Sequence, residues 1–167
     1  MSNEFSLGSV QVASTPLERF EEYLQSKGKR FTQQRRILIE QVFSHHDHFD
    51  ADDLLALLAE RVGSRTVSRP TVYRGLAELV EAGLLRKMVL GGRSVYEHDY
   101  GYPSHDHLHC TECNDLIEFH SEQLEAIRDA VAREHGFRVG SHRLIISGIC
   151  QACQEKRRRK KSRLDRI

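Results

Sequence analysis

Residues 104–113 concentrate more metal-binding side chains than ordinary core or surface composition does. This stretch, SHDHLHCTEC, holds three imidazoles, two carboxylates and two thiols. In a β-strand, alternate side chains point to opposite faces, so His105, His107 and His109 would share one face and Asp106 would lie on the other. Imidazole and carboxylate ligands suit a divalent metal with mixed coordination, whereas thiolates suit zinc. The alternative interpretation is a solvated polar strand.

All four cysteines of the chain fall into two CxxC motifs, Cys110 with Cys113 and Cys150 with Cys153. Two such motifs can close a tetrahedral site in which four thiolates bind structural Zn²⁺. A single CxxC is also typical of thioredoxin-like redox proteins, but the second motif favours zinc. Because the motifs are far apart in the sequence, we expect zinc to clamp two distant segments.

The composition indicates a protein of the cytoplasm. At 167 residues, of which 39% are hydrophobic, the chain has room for one large or two small domains. No stretch approaches the 18 or so apolar residues of a membrane span, and residues 1–15 lack the basic start and apolar core of an export signal. We therefore expect no membrane partner, and thiols that stay reduced or bind metal.

The net charge of +1 is unevenly distributed, because residues 155–167 alone carry +6. This basic tail can contact phosphates without sequence specificity. A disordered, solubilising tail is the alternative.

Periodic apolar residues predict four helices in the first half of the chain. A helix opens near Thr15 and closes at Gly28, and Thr32 and Asp50 are suited to cap the next two. Pro70 fits the first turn of a fourth helix. Strands over residues 84–90 and 93–97 follow, joined by a Gly-Gly pair that is suited to a tight hairpin turn. Helices followed by a hairpin predict a winged helix-turn-helix.

Side chains at the start of the fourth helix are typical of DNA contacts. Arg69 and Arg74 can meet phosphates, and Thr71 and Tyr73 can make apolar contact with a thymine methyl group. Each one alone could be a merely exposed polar residue, but their joint placement before the wing favours binding to double-stranded DNA.

The second half predicts a small α/β unit, so the whole chain is assigned to the α+β class. The His-rich strand is followed by a strand over residues 116–119, a helix over 121–135 and a strand over 143–149. So small a unit needs a partner for its apolar residues, which predicts a homodimer. The predicted domains are listed in order: flexible arm 1–15, winged-helix domain 16–98, hinge 99–103, metal-binding dimerisation domain 104–154 and tail 155–167.

From about Arg19 to Cys153, the chain resembles the ferric uptake regulator family. The segments that carry the resemblance are RFTQQRR at 30–36, PTVYR at 70–74, SVYE at 94–97, HDHLHC at 105–110 and LIEF at 116–119. The resemblance implies a dimeric, metal-responsive transcription regulator, usually a repressor that binds operator DNA when its metal is plentiful. It also adds Arg30 to the DNA-contacting residues.

The resemblance implies a sensory metal site with the ligands His48, Glu97, His105, His107 and Glu118. These ligands lie on both sides of the hinge, so metal binding would depend on the relative orientation of the domains.

The resemblance further implies a second metal site, with Asp106, Glu125 and His142 at matching positions. Ser104 stands where many members have another histidine, which leaves three protein ligands for a weak or water-completed site.

Within the family, the leading hypothesis is an Fe²⁺-dependent repressor of iron-uptake genes. Glu118 and Glu97 lean towards iron control, since peroxide sensors typically place Asp at these positions. A peroxide sensor or a regulator responding to Zn²⁺ or Mn²⁺ remains the alternative, because both carboxylates accept all three metals.

Two other function classes compete with a regulator. A metal-dependent hydrolase would need a general base and room for a small organic substrate, and neither is evident beside five protein ligands. A zinc-stapled interaction module would explain the cysteines and leave the His cluster unused. We therefore expect neither catalysis nor a small organic substrate.

Overall fold

A computed structural model describes residues 7, 10–44, 47–62 and 67–164. Residues 1–6, 8 and 9 of the predicted arm, and residues 165–167 of the predicted tail, lie outside the described residues. The chain forms two compact units, one over Ser9–Tyr102 and one that includes Pro103–Ile167. Helices dominate the first unit and a three-stranded sheet forms part of the second, so the predicted α+β class is confirmed.

The N-terminal unit contains four helices followed by a β-hairpin, in the order predicted for a winged helix-turn-helix. Its elements are α1 (Pro16–Ser26), α2 (Gln33–Val42), α3 (Ala51–Val62), α4 (Arg69–Glu81), β1 (Leu85–Leu90) and β2 (Arg93–His98). The first strand begins one residue later than predicted and the second extends one residue further. These differences are within the usual uncertainty of element ends.

Side-chain caps fix the starts of three helices, as predicted. The Thr15 hydroxyl accepts the N–H of Glu18 while the Glu18 carboxylate accepts the N–H of Thr15, a complete capping box at α1. The Thr32 hydroxyl caps α2 by accepting the N–H of Arg35 at 3.4 Å. At α3 the Asp50 carboxylate accepts the N–H of Asp53 at 2.9 Å, and the Asp53 carboxylate accepts the N–H of Asp50 at 2.8 Å. Each cap satisfies backbone donors that the first helical turn leaves unpaired.

The hairpin turn depends on its two glycines. Leu90 lies opposite Arg93, so Gly91 and Gly92 form the whole two-residue loop. Their φ angles are 55° and 82°, which residues with a Cβ rarely adopt. The predicted Gly-Gly turn is confirmed.

The segment before α3 is tied to the hairpin at two successive residues. Phe49 forms a β-bridge with Tyr96, donating its N–H at 3.2 Å and accepting the Tyr96 N–H at 2.8 Å. Asp50, besides capping α3, accepts a hydrogen bond from Arg93 of β2. Burial raises the pKa of Asp50. The hydrogen bonds from the backbone N–H groups of Asp53 and Asp52 and from the Arg93 side chain outweigh burial and hold that pKa below its usual value.

The helices and the hairpin close over one hydrophobic core. Its fully or nearly fully buried members include Phe20, Leu24, Leu38, Ile39, Leu76, Leu79, Leu84 and Leu85. Helices α2 and α4 approach closely because α4 has a glycine, Gly75, at the crossing. A Cβ at Gly75 would overlap Cδ2 of Leu38, which is fully buried, so the Leu38 side chain would have to shift.

A carboxylate that is only 11% exposed, Glu78, pins α4 to the chain around α2. It accepts two hydrogen bonds from the Arg35 guanidinium, at 2.7 and 2.9 Å, and one from Lys29 Nζ at 2.9 Å. Burial raises the pKa of Glu78, and the Arg35 and Lys29 hydrogen bonds outweigh that effect and hold the pKa below its usual value. The ionised carboxylate is therefore the stabilising form.

The C-terminal unit is built on a three-stranded sheet in the order β4-β3-β5. Its elements are β3 (Asp106–Cys110), β4 (Leu116–Phe119), α5 (Glu122–Glu134), β5 (Ile145–Gly148) and α6 (Gln151–Leu164). Strand β3 pairs antiparallel with β4 and parallel with β5, so α5 provides the crossover that a parallel pair requires. Strand β4 has the predicted bounds, whereas β5 is shorter than the predicted 143–149, and His105 precedes β3 rather than belonging to it.

Within the C-terminal unit, one face of the sheet carries apolar side chains in a row. Leu108 lies opposite Ile117 on one side and Ile146 on the other, so the three share a face. They are 40%, 47% and 47% exposed, respectively. Helix α5 leaves Ile127 and Val131 exposed as well. The predicted shortage of partners for these apolar residues is visible in the unit by itself.

The basic tail differs from the disordered alternative. Residues 151–164 form helix α6, which runs without interruption through the predicted boundary at residue 155. Arg157 on this helix pairs with Glu112, which lies inside the first CxxC motif. A disordered tail is therefore wrong for residues 155–164. A run of like charges hides the helix in the sequence, because it has no apolar periodicity to reveal it.

Replacing Glu78 by Gln should destabilise the N-terminal unit by about 2–3 kcal/mol, since Arg35 and Lys29 would lose a charged acceptor. Chemical denaturation at pH 7 measures the change. The difference from wild type should shrink as the pH falls below 4.5, the ordinary pKa of a Glu carboxyl, because the lowered pKa means that protonation removes the same interaction.

The matched control is Glu40→Gln on α2, where the residue is exposed. Equal stabilities for the Glu78 and Glu40 variants would contradict the role of the Glu78 ion pairs.

Candidate metal centres

The two CxxC motifs converge at one end of the sheet in the C-terminal unit. Cys110 ends β3, and its pairing with Gly148 brings the end of β5 alongside, so Cys150 follows close by. Cys113 lies in the turn that follows β3, and Cys153 lies in the first turn of α6. Zinc would therefore join two segments that are distant in sequence.

The sulfur positions fit a single tetrahedral zinc ion. All four Sγ atoms lie within 4.8 Å of one another, and Cys113 and Cys150 Sγ are 3.8 Å apart. Zinc with Zn–S bonds of about 2.3 Å places its four sulfurs about 3.8 Å apart. The thiols are free rather than joined in a disulfide. The donor set is the one that structural zinc prefers.

The pKa values of the clustered thiols favour the binding of a cation. The N–H of Cys150, which donates to Cys110 Sγ at 3.3 Å, lowers the pKa of Cys110 to about 6. The hydrogen bond to Cys150 and burial raise the pKa of Cys153 to about 12. Near neutral pH, one thiolate thus opposes the ionisation of its neighbours. A divalent ion removes this repulsion and lets all four thiols bind as thiolates.

A second cluster in the same unit joins two imidazoles and a carboxylate. Glu118 of β4 lies directly opposite His107 of β3, and His105 immediately precedes the strand. The ligand atoms of the three residues lie within 4.8 Å of one another, and His105 Nε2 is 3.8 Å from the Glu118 carboxylate. His105 Nδ1 lies 2.9 Å from the Pro103 carbonyl, a hydrogen bond that leaves Nε2 directed to the cluster.

The N-terminal unit brings together the other two residues predicted for the sensory site. His48 Nε2 is 3.3 Å from the Glu97 carboxylate, and both side chains are largely buried. The Phe49–Tyr96 bridge explains the proximity, because His48 and Glu97 are the next residues on the two paired segments. The pair is thus a direct product of the hairpin and the segment before α3.

The trio predicted for a second metal site does not converge. Asp106 and His142 are in contact, with His142 Nε2 3.2 Å from Asp106 Oδ1. Glu125 instead lies 3.6 Å from the guanidinium of Arg128, one helical turn further along α5. Among the described residues, the groups able to surround a metal ion are the four cysteines and the His/Glu cluster.

Sequence reasoning missed Arg128, whose Nη1 lies 2.8 Å from His142 Nδ1. A signal for it exists in the chain, because an Arg three residues after a predicted ligand Glu on a helix lies on the same face as that Glu.

The residues predicted to contact DNA lie on the exposed side of the N-terminal unit. Helix α4 buries Val72, Leu76 and Leu79 and presents Arg69, Tyr73 and Arg74 on its other faces. Tyr73 is 47% exposed.

Of the predicted DNA contacts, Arg69 and Thr71 lie at the start of α4, whereas Arg30 lies outside that helix. Arg69 pairs with the equally exposed Asp52 at 2.8 Å, and the Thr71 hydroxyl contacts that of Ser68 at 2.9 Å. Arg30 is exposed in the segment between α1 and α2.

Comparison with known proteins decides the family. The sequence model of the ferric uptake regulator family matches residues 26–147. The chain belongs to the ferric uptake regulator family. No helix within the described part of this family member combines the length and apolar character needed to cross a membrane.

Relatives of the family cover most of the chain. It is 33% identical to the ferric uptake regulation protein of Neisseria meningitidis serogroup A over 147 residues, covering 86% of this chain and 100% of the relative. It is 32% identical to the peroxide operon regulator of Bacillus subtilis over 145 residues, covering 87% and 98%. A solved structure of the ferric uptake regulator of Francisella tularensis with iron is 29% identical and covers 76% of this chain and 96% of its own, with a TM-score of 0.66.

Replacing Cys110 by Ser should weaken zinc binding by at least about 100-fold, more than the usual effect of losing a residue that merely orients a ligand. It should also loosen the C-terminal unit, because the zinc would no longer join the ends of β3 and β5. Zinc content by elemental analysis and thermal unfolding measure the two effects.

Ser104→Ala, in the same stretch but away from the sulfurs, is the control. Full zinc content in the Cys110 variant would refute the four-thiolate site.

Proposed function

We propose that the chain is a metal-responsive, DNA-binding transcription regulator, and specifically an Fe²⁺-dependent repressor of iron-uptake genes. The observation that carries the proposal is the convergence of His105, His107 and Glu118 in a chain whose other unit has the winged-helix architecture. A metal site that lacks a catalytic base, in a protein with an exposed Arg/Tyr helix face, suits sensing better than catalysis. The place of action is the cytoplasm, where DNA and Fe²⁺ are both available.

The donor atoms support the choice of metal. Two imidazole nitrogens and a carboxylate suit Fe²⁺, Mn²⁺ and Zn²⁺, whereas the four thiolates select Zn²⁺. The relative from Francisella tularensis was solved with iron, and relatives named for ferric uptake regulation match most of this chain. The proposal therefore assigns structural Zn²⁺ to the cysteines and regulatory Fe²⁺ to the His/Glu cluster.

His48 and Glu97 complete the proposed sensory site on the strength of the family resemblance. Their contact at 3.3 Å in the N-terminal unit supports the assignment, because a buried imidazole and carboxylate this close can serve one cation without rearranging each other. The regulatory ion must bind with different energy to different conformations of the chain. That difference is what metal-dependent DNA binding requires.

The DNA contacts are proposed for the exposed side of α4. Arg69 and Arg74 supply charge for phosphates, and Tyr73 offers an exposed ring for apolar contact in the major groove. Thr71 and Arg30 are the remaining proposed contacts. The Asp52 partner of Arg69 is exposed, so a phosphate can replace it at little cost.

A homodimer is proposed from the apolar row on the C-terminal sheet. Leu108, Ile117 and Ile146 lie side by side on three strands, and each is at least 40% exposed in the single chain. A second copy of the same surface would remove this area from water, with a stabilisation proportional to the apolar area buried. Operators read by two copies of one winged helix would then have two half-sites.

A peroxide-responsive regulator is the second candidate, favoured by the 32% identical relative from Bacillus subtilis that is named for a peroxide operon. The two candidates differ in one measurable property. When a slight molar excess of hydrogen peroxide is added to the Fe²⁺ form, an iron regulator stays bound to DNA, whereas a peroxide sensor dissociates from the DNA. The Mn²⁺ form, which reacts poorly with peroxide, is the control.

Replacing Glu118 by Ala should raise the Fe²⁺ or Mn²⁺ concentration needed for half-maximal promoter binding by at least about tenfold, because a ligand is lost. Zinc content should stay unchanged, since the cysteines are not involved. Anaerobic titration against a labelled promoter fragment at fixed salt measures the shift, because salt alone changes the affinity for DNA.

Glu134→Ala, exposed at the end of α5, should behave as wild type. Identical metal dependence in the Glu118 variant would rule out the sensory assignment.

Replacing Ile146 by Asp should shift the protein from dimer to monomer, since a charge would have to be buried at one end of the apolar row. Sedimentation at micromolar concentration measures the shift. The control is Val89→Asp, which places the same charge on an exposed apolar residue of the hairpin. A stable dimer in the Ile146 variant would place the interface elsewhere.

A further inference from the structure

The second metal site that the family resemblance implies does not fit the residues of this chain. A metal ion needs a lone pair from each ligand, and each of the three candidates here already faces another polar group. His142 and Asp106 hold each other, with Nε2 3.2 Å from Oδ1, and Glu125 faces a guanidinium. Ser104 offers no imidazole at the fourth position.

The hydrogen bonds around His142 indicate which ring nitrogen donates and which accepts. Arginine has donors and no acceptor, so the 2.8 Å contact between Arg128 Nη1 and His142 Nδ1 makes Nδ1 the acceptor. The hydrogen of the neutral ring must then lie on Nε2, from which it is donated to the Asp106 carboxylate. Both ring nitrogens are occupied, and the lone pair that a metal would take is held by Arg128.

Asp106 is committed on its other side as well. Its side chain is only 4% exposed, and Oδ1 also accepts the N–H of Leu144 at 3.1 Å. This hydrogen bond connects β3 to the residue just before β5. A carboxylate so placed stabilises the junction of the two strands when it is ionised and paired with a cation nearby.

Arg128 supplies that positive charge. Its guanidinium lies 2.8 Å from Asp129 and 3.6 Å from Glu125, and its Nη1 donates to His142. The hydrogen bond to Asp129 raises the pKa of Arg128 further above its ordinary value. A guanidinium is charged at every physiological pH and cannot be removed by chelation. A divalent ion entering here would meet a fixed positive charge in contact with one of its intended ligands.

We propose that Arg128 is a built-in cation that takes the place of the metal at the second site, so that this part of the C-terminal unit is held together without a metal ion. We call the hydrogen bonds from Arg128 through the neutral imidazole of His142 to Asp106 the Arg128 relay. A metal ion, its histidine ligand and the carboxylate partner of that histidine would be connected in the same order. This inference deepens the proposed function. It depends on that function only for the regulatory ion, of which one binds per chain at the His/Glu cluster.

Metal counting tests the inference. The zinc-loaded protein is dialysed against excess Co²⁺, and bound Co²⁺ is measured for wild type, Asp106→Asn and the double variant Ser104→His with Arg128→Gln. The expected result is one Co²⁺ per chain in wild type and in Asp106→Asn, and two in the double variant. Arg133→Gln, an exposed arginine on the same helix, should leave the count at one.

The outcomes separate this inference from the proposed function. A wild-type count of two that falls to one in Asp106→Asn overturns the arginine-held site. So does a double variant that is folded and gains no ion. A wild-type count of zero with one ion gained in the double variant refutes the sensory site and supports the role of Arg128.

A second measurement needs no variant and therefore does not depend on folding of a mutant. Ring-nitrogen NMR of the zinc-loaded wild type should show His142 as the Nε2–H tautomer. On addition of further Zn²⁺, the His105 and His107 nitrogens should shift to metal-bound positions while those of His142 stay unchanged. A metal-bound shift at His142 Nδ1 would overturn the proposal.

Discussion

The C-terminal unit depends on the register of one short strand, β3, which is hydrogen bonded on both sides. Pairing with β4 places Glu118 opposite His107, and pairing with β5 places Gly148 opposite Cys110 so that Cys150 can follow. A slip of one residue would turn every side chain of β3 to the other face. The thiolate cluster, the His/Glu cluster and the Arg128 relay would all be lost together. Five residues of backbone pairing thus position three separate groups of polar side chains.

The two units solve different packing problems. The N-terminal unit has a buried core of its own, in which Gly75 lets two helices approach and Glu78 fastens them with an ion pair. The C-terminal unit has few buried apolar residues and leaves its apolar row exposed. It relies instead on charged and metal-binding groups at the two ends of its sheet. This is the expected strategy for a unit too small to form a large core.

Local chemistry made the N-terminal architecture and much of the donor set predictable from the sequence. The caps at Thr15, Thr32 and Asp50 and the glycine turn act over two to four residues, so their signals are contiguous. The family resemblance implied Glu118 as a ligand, and its place beside His107 follows from the register of β3 with β4. Helix α6 was missed because its stability does not come from an apolar face.

The i, i+3 spacing places Arg128 on the same helix face as Glu125, but the contact with His142 depends on how α5 crosses to the segment before β5, which the spacing does not predict. The sequence also presented His142 as a metal ligand by position alone. Whether a polar residue binds a metal or a neighbouring cation is decided by its surroundings, which only the folded unit provides.

Residues 48–50 connect the segment before α3 to the hairpin. His48 contacts Glu97, Phe49 is held in a bridge to Tyr96, and Asp50 is fixed both to the first turn of α3 and to Arg93. Three successive residues are thus each tied to the hairpin, and the last of them also to the start of α3. A displacement of the His48 imidazole would therefore be passed to the hairpin and to the start of α3 together.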